Sequence, residues 1–385
     1  MEDNTISENK DRIKPFYAIK IFEKGKAFDP ENKKTIHLSL GEPSANLPNN
    51  LLKEVGKRVL EWKIGYTESI GLLDLRKAIV NHYKKRYKVE IKADQVAITS
   101  GASASILLSL MSLFNPGDTV AVVSPGYPCY INILKSLRLK VFNIQTTLNN
   151  QFQLDIDQII NLPSNIKGII LASPSNPTGV IIHKEFLKEI NKICIKKNII
   201  IISDEIYQGI NYNYTAKEET LLSINPNGII INSFSKYFLM TGWRLGWIIS
   251  NRNHINKIAK IAMNIYLSPS SISQYAALET FKYYKYFDNI VEEYNTNRDF
   301  LAKKLIEMGF SKFYKPDGAF YFYIDVSDIT QDSYNFCMEM VKDINITVAP
   351  GIDFDNKNGK SFIRISFAGK KDEIFTAMNK IQKWI

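Results

Sequence analysis

The feature that most constrains the fold is a series of short apolar runs, rich in isoleucine and valine, that lack alternating polar residues. Such runs occupy residues 95–98, 119–123, 168–172, 199–202, 229–231 and 245–249. Helical patterns separate several of them, for example at residues 102–114 and 184–197. A strand without polar alternation is buried on both faces, and strands that alternate with helices favour a parallel sheet. The sequence therefore predicts an open α/β sheet, mostly parallel and flanked by helices.

The pattern changes after about Gln274, where we predict a second, smaller domain of α+β type. It contains a long helical stretch at residues 275–305, strand-like residues at 318–326, a helix at 334–341, strands near Thr347 and at 362–367, and a final helix. We expect the segment before about Ser44 to pack with this second domain. The predicted division is a large domain of residues 45–280 and a small domain of residues 1–44 with 281–385.

Composition narrows the functional classes. The 385 residues carry a formal net charge of +10, but the basic residues are scattered rather than interleaved with aromatics, which argues against a nucleic-acid partner. No apolar run is long enough to span a bilayer and the N-terminus is polar, so we expect a cytoplasmic protein without a membrane partner. The cysteines and histidines are dispersed, and their spacing predicts neither a disulfide framework nor a metal site.

One lysine lies in an unusually apolar stretch. Lys236 and Arg244 are the only charged residues between Gly228 and Ser250. A lysine placed there loses much of its hydration, and desolvation lowers the pKa of an amine. A neutral amine is a nucleophile that forms a Schiff base with an aldehyde. The alternative is a lysine at the edge of the sheet whose amine reaches out to water.

Further polar residues follow the predicted strands, at the edge where open α/β sheets bind their ligands. Gly101, Ala102 and Ser103 join a strand to a helix, and the free N–H groups and dipole at such a helix start suit a phosphate. Asp204 ends another apolar strand, and Arg364 is a lone charge inside a third. A buried arginine without an anion is strongly destabilising, so we expect an anionic partner for Arg364.

Several of these segments resemble the class I/II aminotransferases, which are fold type I pyridoxal-phosphate enzymes. Asn-Ser-Phe-Ser-Lys, ending at Lys236, followed by Gly-Trp-Arg-Leu-Gly around Arg244, is similar to the active-site lysine region of that family. Ser-Pro-Ser-Asn-Pro-Thr-Gly around Asn176 is a second match, and the separations of Asn176, Asp204, Lys236 and Arg364 resemble the family throughout. The resemblance covers essentially the whole chain. It implies an aspartate-aminotransferase-like fold, with a seven-stranded sheet in a large cofactor-binding domain.

The resemblance also implies a role for each site residue. Lys236 would hold pyridoxal 5'-phosphate as a Schiff base, Asp204 would pair with its ring nitrogen, and Tyr207 would hydrogen-bond its phenolic oxygen. The other cofactor-binding residues would be Gly101, Ala102, Ser103, Tyr127, Asn176, Ser233, Ser235, Arg244 and Tyr66. Of these, Tyr66 would reach the phosphate of the neighbouring subunit. The substrate carboxylate would meet Gly41, Asn176 and Arg364, whereas Glu205 is expected to be a surface acid or a helix start.

These roles imply an aminotransferase that moves an amino group between an L-amino acid and a 2-oxo acid. The expected acceptor is 2-oxoglutarate, the kinetics would be ping-pong, and the protein would be a homodimer with shared active sites. Two alternatives stay open: a carbon–sulfur β-lyase of the same fold, and a non-catalytic cofactor-binding regulator. Some relatives that act on acidic substrates carry a lysine where this chain has Ser103, so the chain lacks one obvious partner for a second substrate carboxylate.

Overall fold

The computed structural model describes residues 13–31, 34–61, 64–212 and 219–385. The strands are β1 (Ile36–His37), β2 (Val96–Thr99), β3 (Thr119–Ser124), β4 (Lys140–Gln145), β5 (Ile166–Ala172), β6 (Ile200–Asp204), β7 (Ile229–Ser233), β8 (Gly246–Ile249), β9 (Tyr321–Asp325), β10 (Ile346–Thr347), β11 (Ala349–Pro350) and β12 (Phe362–Ser366). The helices are α1 (Tyr17–Phe28), α2 (Asn49–Glu61), α3 (Leu73–Tyr87), α4 (Ala102–Leu113), α5 (Pro128–Ser136), α6 (Ile156–Ile160), α7 (Lys184–Lys196), α8 (Arg252–Ile265), α9 (Ser271–Thr280), α10 (Tyr284–Glu307), α11 (Ser333–Ile344) and α12 (Lys371–Trp384).

Seven strands form the central sheet, in the order β2-β8-β7-β6-β5-β3-β4. The strands from β7 to β4 run parallel to one another, whereas β8 runs antiparallel to both β7 and β2. The sheet is mixed but mostly parallel and is flanked by helices, which confirms the predicted fold class. Because the parallel strands point the same way, their carboxyl ends meet at one edge of the sheet.

Both faces of the sheet are buried, as the side chains along β5 show. Ile169 and Leu171 pack into one hydrophobic cluster, whereas Ile170 between them packs into another cluster. None of the three is more than 1 % exposed. Neighbouring side chains on a strand point to opposite faces, so this burial requires the continuous apolar runs seen in the sequence. Burying each such side chain contributes about 1.5–3 kcal/mol.

The remaining strands form two smaller sheets. β11, β12 and β9 form a three-stranded antiparallel sheet, in which Arg364 of β12 lies opposite Tyr323 of β9. β1, from the N-terminal segment, pairs in parallel with β10. The division into residues 45–280 and residues 1–44 with 281–385 stays a prediction, and residues 1–12 lie outside the described part of the chain.

One strand of the central sheet has no counterpart among the predicted strands. β4 lies at the edge of the sheet and pairs only with β3. Its residues Lys140 and Asn143 are exposed, because an edge strand does not need two buried faces. The strand therefore lacks the continuous apolar run that identified the others.

The helical stretch predicted at residues 275–305 is in fact two helices, α9 and α10. A turn separates them, in which the N–H groups of Lys282 and Tyr283 donate to the carbonyls of Glu279 and Thr280. Phe281, in this turn, is also apolar and packs against the same hydrophobic cluster as residues of α9 and α10. The apolar pattern therefore does not reveal the break.

Glu205 is not the surface acid or helix start that we expected, since it is only 1 % exposed. Its Oε1 accepts hydrogen bonds from Ser203 Oγ and from the N–H of Leu221, both at 2.9 Å. Its Oε2 has no hydrogen-bond partner among the described residues. Burial raises the pKa of the Glu205 carboxyl to about 8, although the hydrogen bond from Leu221 opposes the shift.

The raised pKa of Glu205 makes the stability of the fold depend on pH. Between the ordinary value of 4.5 and about 8, the folded protein keeps a proton that the unfolded chain has lost. The contribution of Glu205 to stability is therefore highest below that window, and it falls by up to about 1.4 kcal/mol per pH unit across the window. We expect Glu205→Gln to remove this contribution. The free energy of unfolding of Glu205→Gln minus that of the wild type should therefore be larger at pH 8 than at pH 5.

Chemical denaturation of both proteins at the two pH values measures this difference. Glu189→Gln, which changes an exposed glutamate on α7, is the matched control and should leave the pH profile unchanged. Parallel profiles for Glu205→Gln and the wild type would show that Glu205 ionises at its ordinary pKa.

Candidate active site

A cavity of about 150 Å³ lies at the carboxyl edge of the central sheet. The predicted site residues that line it are Gly41, Ala102, Ser103, Tyr127, Asn176, Asp204, Tyr207, Ser233, Ser235, Lys236, Arg244 and Arg364. Gly101 adjoins the cavity beside Arg244, whereas Tyr66 does not line it and is 84 % exposed. The fold thus brings together most of the residues that the sequence singled out, although their individual roles stay predictions.

Lys236 follows β7, and its amine faces the cavity. Its Nζ donates a hydrogen bond to the carbonyl oxygen of Gly41 at 2.6 Å. Loss of hydration lowers the pKa of the Lys236 amine to about 8; the charge of Arg364 acts in the same direction, and that of Glu42 opposes it. Near neutral pH an appreciable fraction of this amine is therefore uncharged and nucleophilic.

The carboxylate at the end of β6 is held on both of its oxygens. Asp204 is 2 % exposed, and its Oδ2 accepts a hydrogen bond from the hydroxyl of Tyr130. Its Oδ1 accepts from the N–H of Ile206 at 3.2 Å. Burial raises the pKa of Asp204 to about 6, while the hydrogen bond from Tyr130 opposes the shift. The carboxylate is thus oriented by the protein itself.

The start of α4 forms one end of the cavity. Gly101 has φ +86°, a left-handed conformation that favours glycine, and a Cβ there would lie 2.9 Å from Arg244 Nη2. Ser103 belongs to the first turn of the helix, whose N–H groups have no helical acceptor. Ser233 Oγ and Ser235 Oγ lie 2.9 Å apart on the adjoining wall. Hydroxyls, free N–H groups and a guanidinium together suit a phosphate.

Arg364 is 2 % exposed and lies at another part of the cavity wall. Its Nη1 donates to Asn176 Oδ1 at 2.8 Å, and its Nη2 donates to the carbonyl of Ser39. The guanidinium lies 4.2 Å from the ring centroid of Tyr321 and 4.6 Å from that of Phe354. Within the described ranges it forms no ion pair, and its Nε has no hydrogen-bond partner. A buried guanidinium in this state favours an anionic ligand.

Asp353, an acid whose pKa is affected by the charge of Arg364, forms its hydrogen bonds with other groups. Burial raises the pKa of Asp353 to about 6, and the charge of Arg364 opposes the shift. The two carboxylate oxygens of Asp353 accept from the N–H groups of Tyr17 and Ala18, at 2.9 and 2.7 Å. Asp353 therefore caps the start of α1 and leaves the guanidinium of Arg364 open to a ligand.

Three aromatic residues that line the cavity are not among those predicted from the sequence: Phe16, Tyr130 and Tyr321. Tyr130 lies in the first turn of α5, three residues after Tyr127, and its nearness to that predicted residue is the one signal in the sequence that could have indicated it. Tyr321 Oη lies 2.7 Å from Tyr207 Oη. Nothing comparable marks Tyr321 or Phe16 in the sequence, since their positions beside the cavity depend on how distant segments pack.

The arrangement combines an amine with a lowered pKa, an oriented carboxylate and two arginines. It can form a Schiff base with an aldehyde, hold a cation beside the carboxylate, and bind anions at two places. In the part of the chain that the structure describes, no group of three or more histidine, cysteine, aspartate or glutamate side chains is placed to hold a metal ion. Among the described helices, none combines the length and apolarity that crossing a membrane requires.

Comparison with known proteins gives a consistent result. The family described as aminotransferase class I and II matches residues 33–381. Valine–pyruvate aminotransferase of Mycobacterium tuberculosis is 35 % identical over 375 residues, which is 97 % of this chain and 97 % of that protein. The (5-formylfuran-3-yl)methyl phosphate transaminase of Methanocaldococcus jannaschii is 33 % identical over 385 residues, 99 % of each chain. A crystal structure of an aminotransferase from Mycobacterium tuberculosis matches with a TM-score of 0.95 and 34 % identity, covering 99 % of both chains.

These matches span nearly the whole chain and agree on one family and one fold. The two named relatives act on different substrates, so their names do not identify the amino-acid donor of this protein. The chain belongs to the class I and II aminotransferases, a family of pyridoxal-phosphate-dependent enzymes.

Proposed function

We propose that the protein transfers an amino group from an L-amino acid to a 2-oxo acid, by ping-pong chemistry and in the cytoplasm. The acceptor expected from the sequence is 2-oxoglutarate. The observation that carries the proposal is the Lys236 amine, whose lowered pKa of about 8 leaves an appreciable fraction in the neutral, nucleophilic form near neutral pH, within the same cavity as Asp204 and Arg364. An aldehyde-binding amine, a carboxylate and a guanidinium are the groups that transamination would need from this chain.

The cavity residues fit pyridoxal phosphate. The phosphate would lie at the start of α4, where Gly101 lacks the Cβ that would crowd Arg244. The other residues suited to the cofactor are Ala102, Ser103, Ser233 and Ser235 at the phosphate, Tyr127 beside the ring, and Asn176 and Tyr207 at the phenolic oxygen. When bound, the cofactor supplies an aldehyde that combines with amines and a ring that accepts electrons from the substrate Cα.

Asp204 and Lys236 would control the protons of the reaction. A carboxylate stabilises a nearby cation, so Asp204 would keep the ring nitrogen protonated, and the pairing would in turn lower the pKa of Asp204. The Nζ of Lys236, released when the substrate amine takes its place, would accept the proton from the substrate Cα and return it at the cofactor C4′. The carbonyl oxygen of Gly41, which accepts a hydrogen bond from Nζ, would remain available as an acceptor for this amine during that exchange.

Arg364 would bind the carboxylate that every amino-acid and 2-oxo-acid substrate shares. A guanidinium offers a planar pair of donors that matches a carboxylate, and Nε of Arg364 is without a partner among the described residues. Asn176 accepts from Nη1 and thereby fixes the plane of the guanidinium. Gly41 would place its backbone beside the same carboxylate.

A homodimer with shared active sites is part of the proposal. Tyr66, the residue expected to reach the partner's phosphate, is 84 % exposed and lies outside the cavity of its own chain. Leu60, six residues earlier, is 88 % exposed, and Ile64 is 45 % exposed. Exposed apolar and aromatic side chains close together are typical of a surface that is covered by another protein.

The function is tested with a panel of amino-acid donors and 2-oxoglutarate. We expect the wild type to form glutamate and the matching 2-oxo acid, and Lys236→Ala to lose turnover by several orders of magnitude because it lacks the nucleophile. Borohydride reduction and peptide mapping should place the cofactor on Lys236. Lys197→Ala is the matched control, because Lys197 donates to the carbonyl of Leu162 away from the cavity.

Two results would contradict this assignment. Label on another lysine would remove Lys236 from the mechanism, and pyruvate with ammonia from a single amino acid would favour the β-lyase. The pH dependence adds a check, since only the neutral amine captures the aldehyde. The rate at which the apoprotein takes up the cofactor should rise with pH and level off above about 8.

Arg364→Ala should raise KM for amino-acid and 2-oxo-acid substrates while cofactor binding stays intact. Two charge-assisted hydrogen bonds of about 1.5–3 kcal/mol each correspond to roughly two to four orders of magnitude in substrate binding. Arg364→Lys should recover only part of the loss, because an ammonium cannot reproduce the planar pair of donors. Steady-state kinetics with both substrate classes measure the effect, and an unchanged KM would make Arg364 a structural residue.

Tyr66→Ala should weaken cofactor binding by about ten- to a hundredfold, the value of one hydrogen bond to a charged group. Mixing subunits of Tyr66→Ala with subunits of Lys236→Ala should restore one intact site per mixed dimer. Titration of cofactor binding and activity in the mixture measures this recovery. A monomeric mass by sedimentation, or no recovery on mixing, would refute the shared site.

A further inference from the structure

Tyr321 lines the cavity and lies between Tyr207 and Arg364. It belongs to β9, where it pairs with Ser366 of β12, and it is 1 % exposed. Its hydroxyl lies 2.7 Å from the hydroxyl of Tyr207, which follows β6 of the central sheet. Its ring lies under the guanidinium of Arg364 at 4.2 Å. One side chain therefore contacts both the tyrosine assigned to the cofactor and the arginine assigned to the substrate.

The position of this hydroxyl is fixed by its surroundings. A Cβ on Gly41 would lie 1.6 Å from Tyr321 Oη and 2.7 Å from its Cζ, so the hydroxyl occupies the space of a missing side chain. The carbonyl of the same Gly41 accepts the hydrogen bond from Lys236. With glycine on one side and Arg364 over its ring, Tyr321 keeps its hydroxyl directed at Tyr207.

The protons of the two hydroxyls decide the direction of their hydrogen bond. Burial raises the pKa of Tyr207 and of Tyr321, so both are protonated at neutral pH and each has one proton to donate. If Tyr207 donates its proton to the phenolic oxygen of the cofactor, it has none left for Tyr321. Tyr321 must then be the donor and Tyr207 the acceptor.

We propose that Tyr321 is a positioning residue: it donates a hydrogen bond to Tyr207 and so fixes Tyr207 as the donor to the cofactor. This inference rests on the proposed function. A hydroxyl that accepts one hydrogen bond becomes a stronger donor of its own proton. A stronger donor at the phenolic oxygen stabilises the deprotonated form of the lysine-bound cofactor, which lowers the pH at which that form appears.

Titration of the visible absorbance of the cofactor-loaded protein tests the proposal. Tyr321→Phe keeps the ring under Arg364 and removes only the hydroxyl. We expect the pH midpoint of the absorbance change to rise by about 0.4 to 1 unit, which corresponds to the loss of one hydrogen bond. KM should stay within about twofold of the wild type, because the ring contact with the carboxylate-binding Arg364 persists.

Two further variants separate this role from a general effect on structure. Tyr207→Phe should raise the midpoint at least as much, and the double variant should match Tyr207→Phe, because Tyr321 acts only through Tyr207. Tyr323→Phe is the matched control: Tyr323 lies two residues along β9, is 2 % exposed and does not line the cavity. It should leave the midpoint unchanged, and all variants should unfold at the wild-type temperature.

The outcomes distinguish the inference from the proposed function. A wild-type midpoint in Tyr321→Phe, together with a shift in Tyr207→Phe, would overturn the role of Tyr321 alone. Additive shifts in the double variant would overturn it as well, because they would show that Tyr321 acts independently of Tyr207. If the wild type shows no cofactor band, the cofactor assignment itself fails. If Tyr207→Phe leaves the midpoint unchanged, the assignment of Tyr207 to the phenolic oxygen fails, and the role of Tyr321 fails with it.

Discussion

The constraint on which this structure depends is that the inner strands of the central sheet are buried on both faces. Because β5 and its neighbours are covered on both sides, a polar side chain within them would be buried without solvent. Polar and charged residues therefore gather where the strands end, and Asp204 and Lys236 both lie there. The same burial raises the pKa of Asp204 and lowers that of Lys236. The burial that stabilises the sheet thus also shifts the pKa values of the groups at its carboxyl edge.

The cavity is built where two separate sheets meet, and hydrogen bonds between them hold its shape. Arg364, from the antiparallel sheet, donates to Asn176 after β5 of the central sheet. Tyr321, from the same antiparallel sheet, bonds Tyr207. A displacement of one sheet against the other would move the groups proposed to bind the substrate relative to those proposed to bind the cofactor. Substitutions at these contacts are therefore expected to affect activity more than stability.

The sequence predicted the residues whose burial is unusual for their type. A lone Arg364 or Lys236 in an apolar stretch is conspicuous, because charge is rarely buried without a reason, and motif order then linked these residues to a family. Tyr321 could not be found this way, since a tyrosine in a strand is common and its partner Tyr207 is distant in sequence. Glu205 was misjudged for the same reason: its partner Leu221 comes from a later turn. Local patterns thus indicate which residues are buried, whereas tertiary packing decides what they contact.

The charges around Lys236 also indicate how substrate binding would make its amine a stronger base for the proposed proton transfer. The charge of Arg364 helps to lower the pKa of Lys236, which favours the neutral nucleophile in the free site. A substrate carboxylate bound to Arg364 would cancel part of that positive charge. The amine of Lys236 would then become a stronger base while the substrate is present, which is the state in which it would take the proton from Cα. In the proposed reaction, Arg364 would therefore do more than bind substrate, because a permanent carboxylate partner would hold the basicity of Lys236 constant.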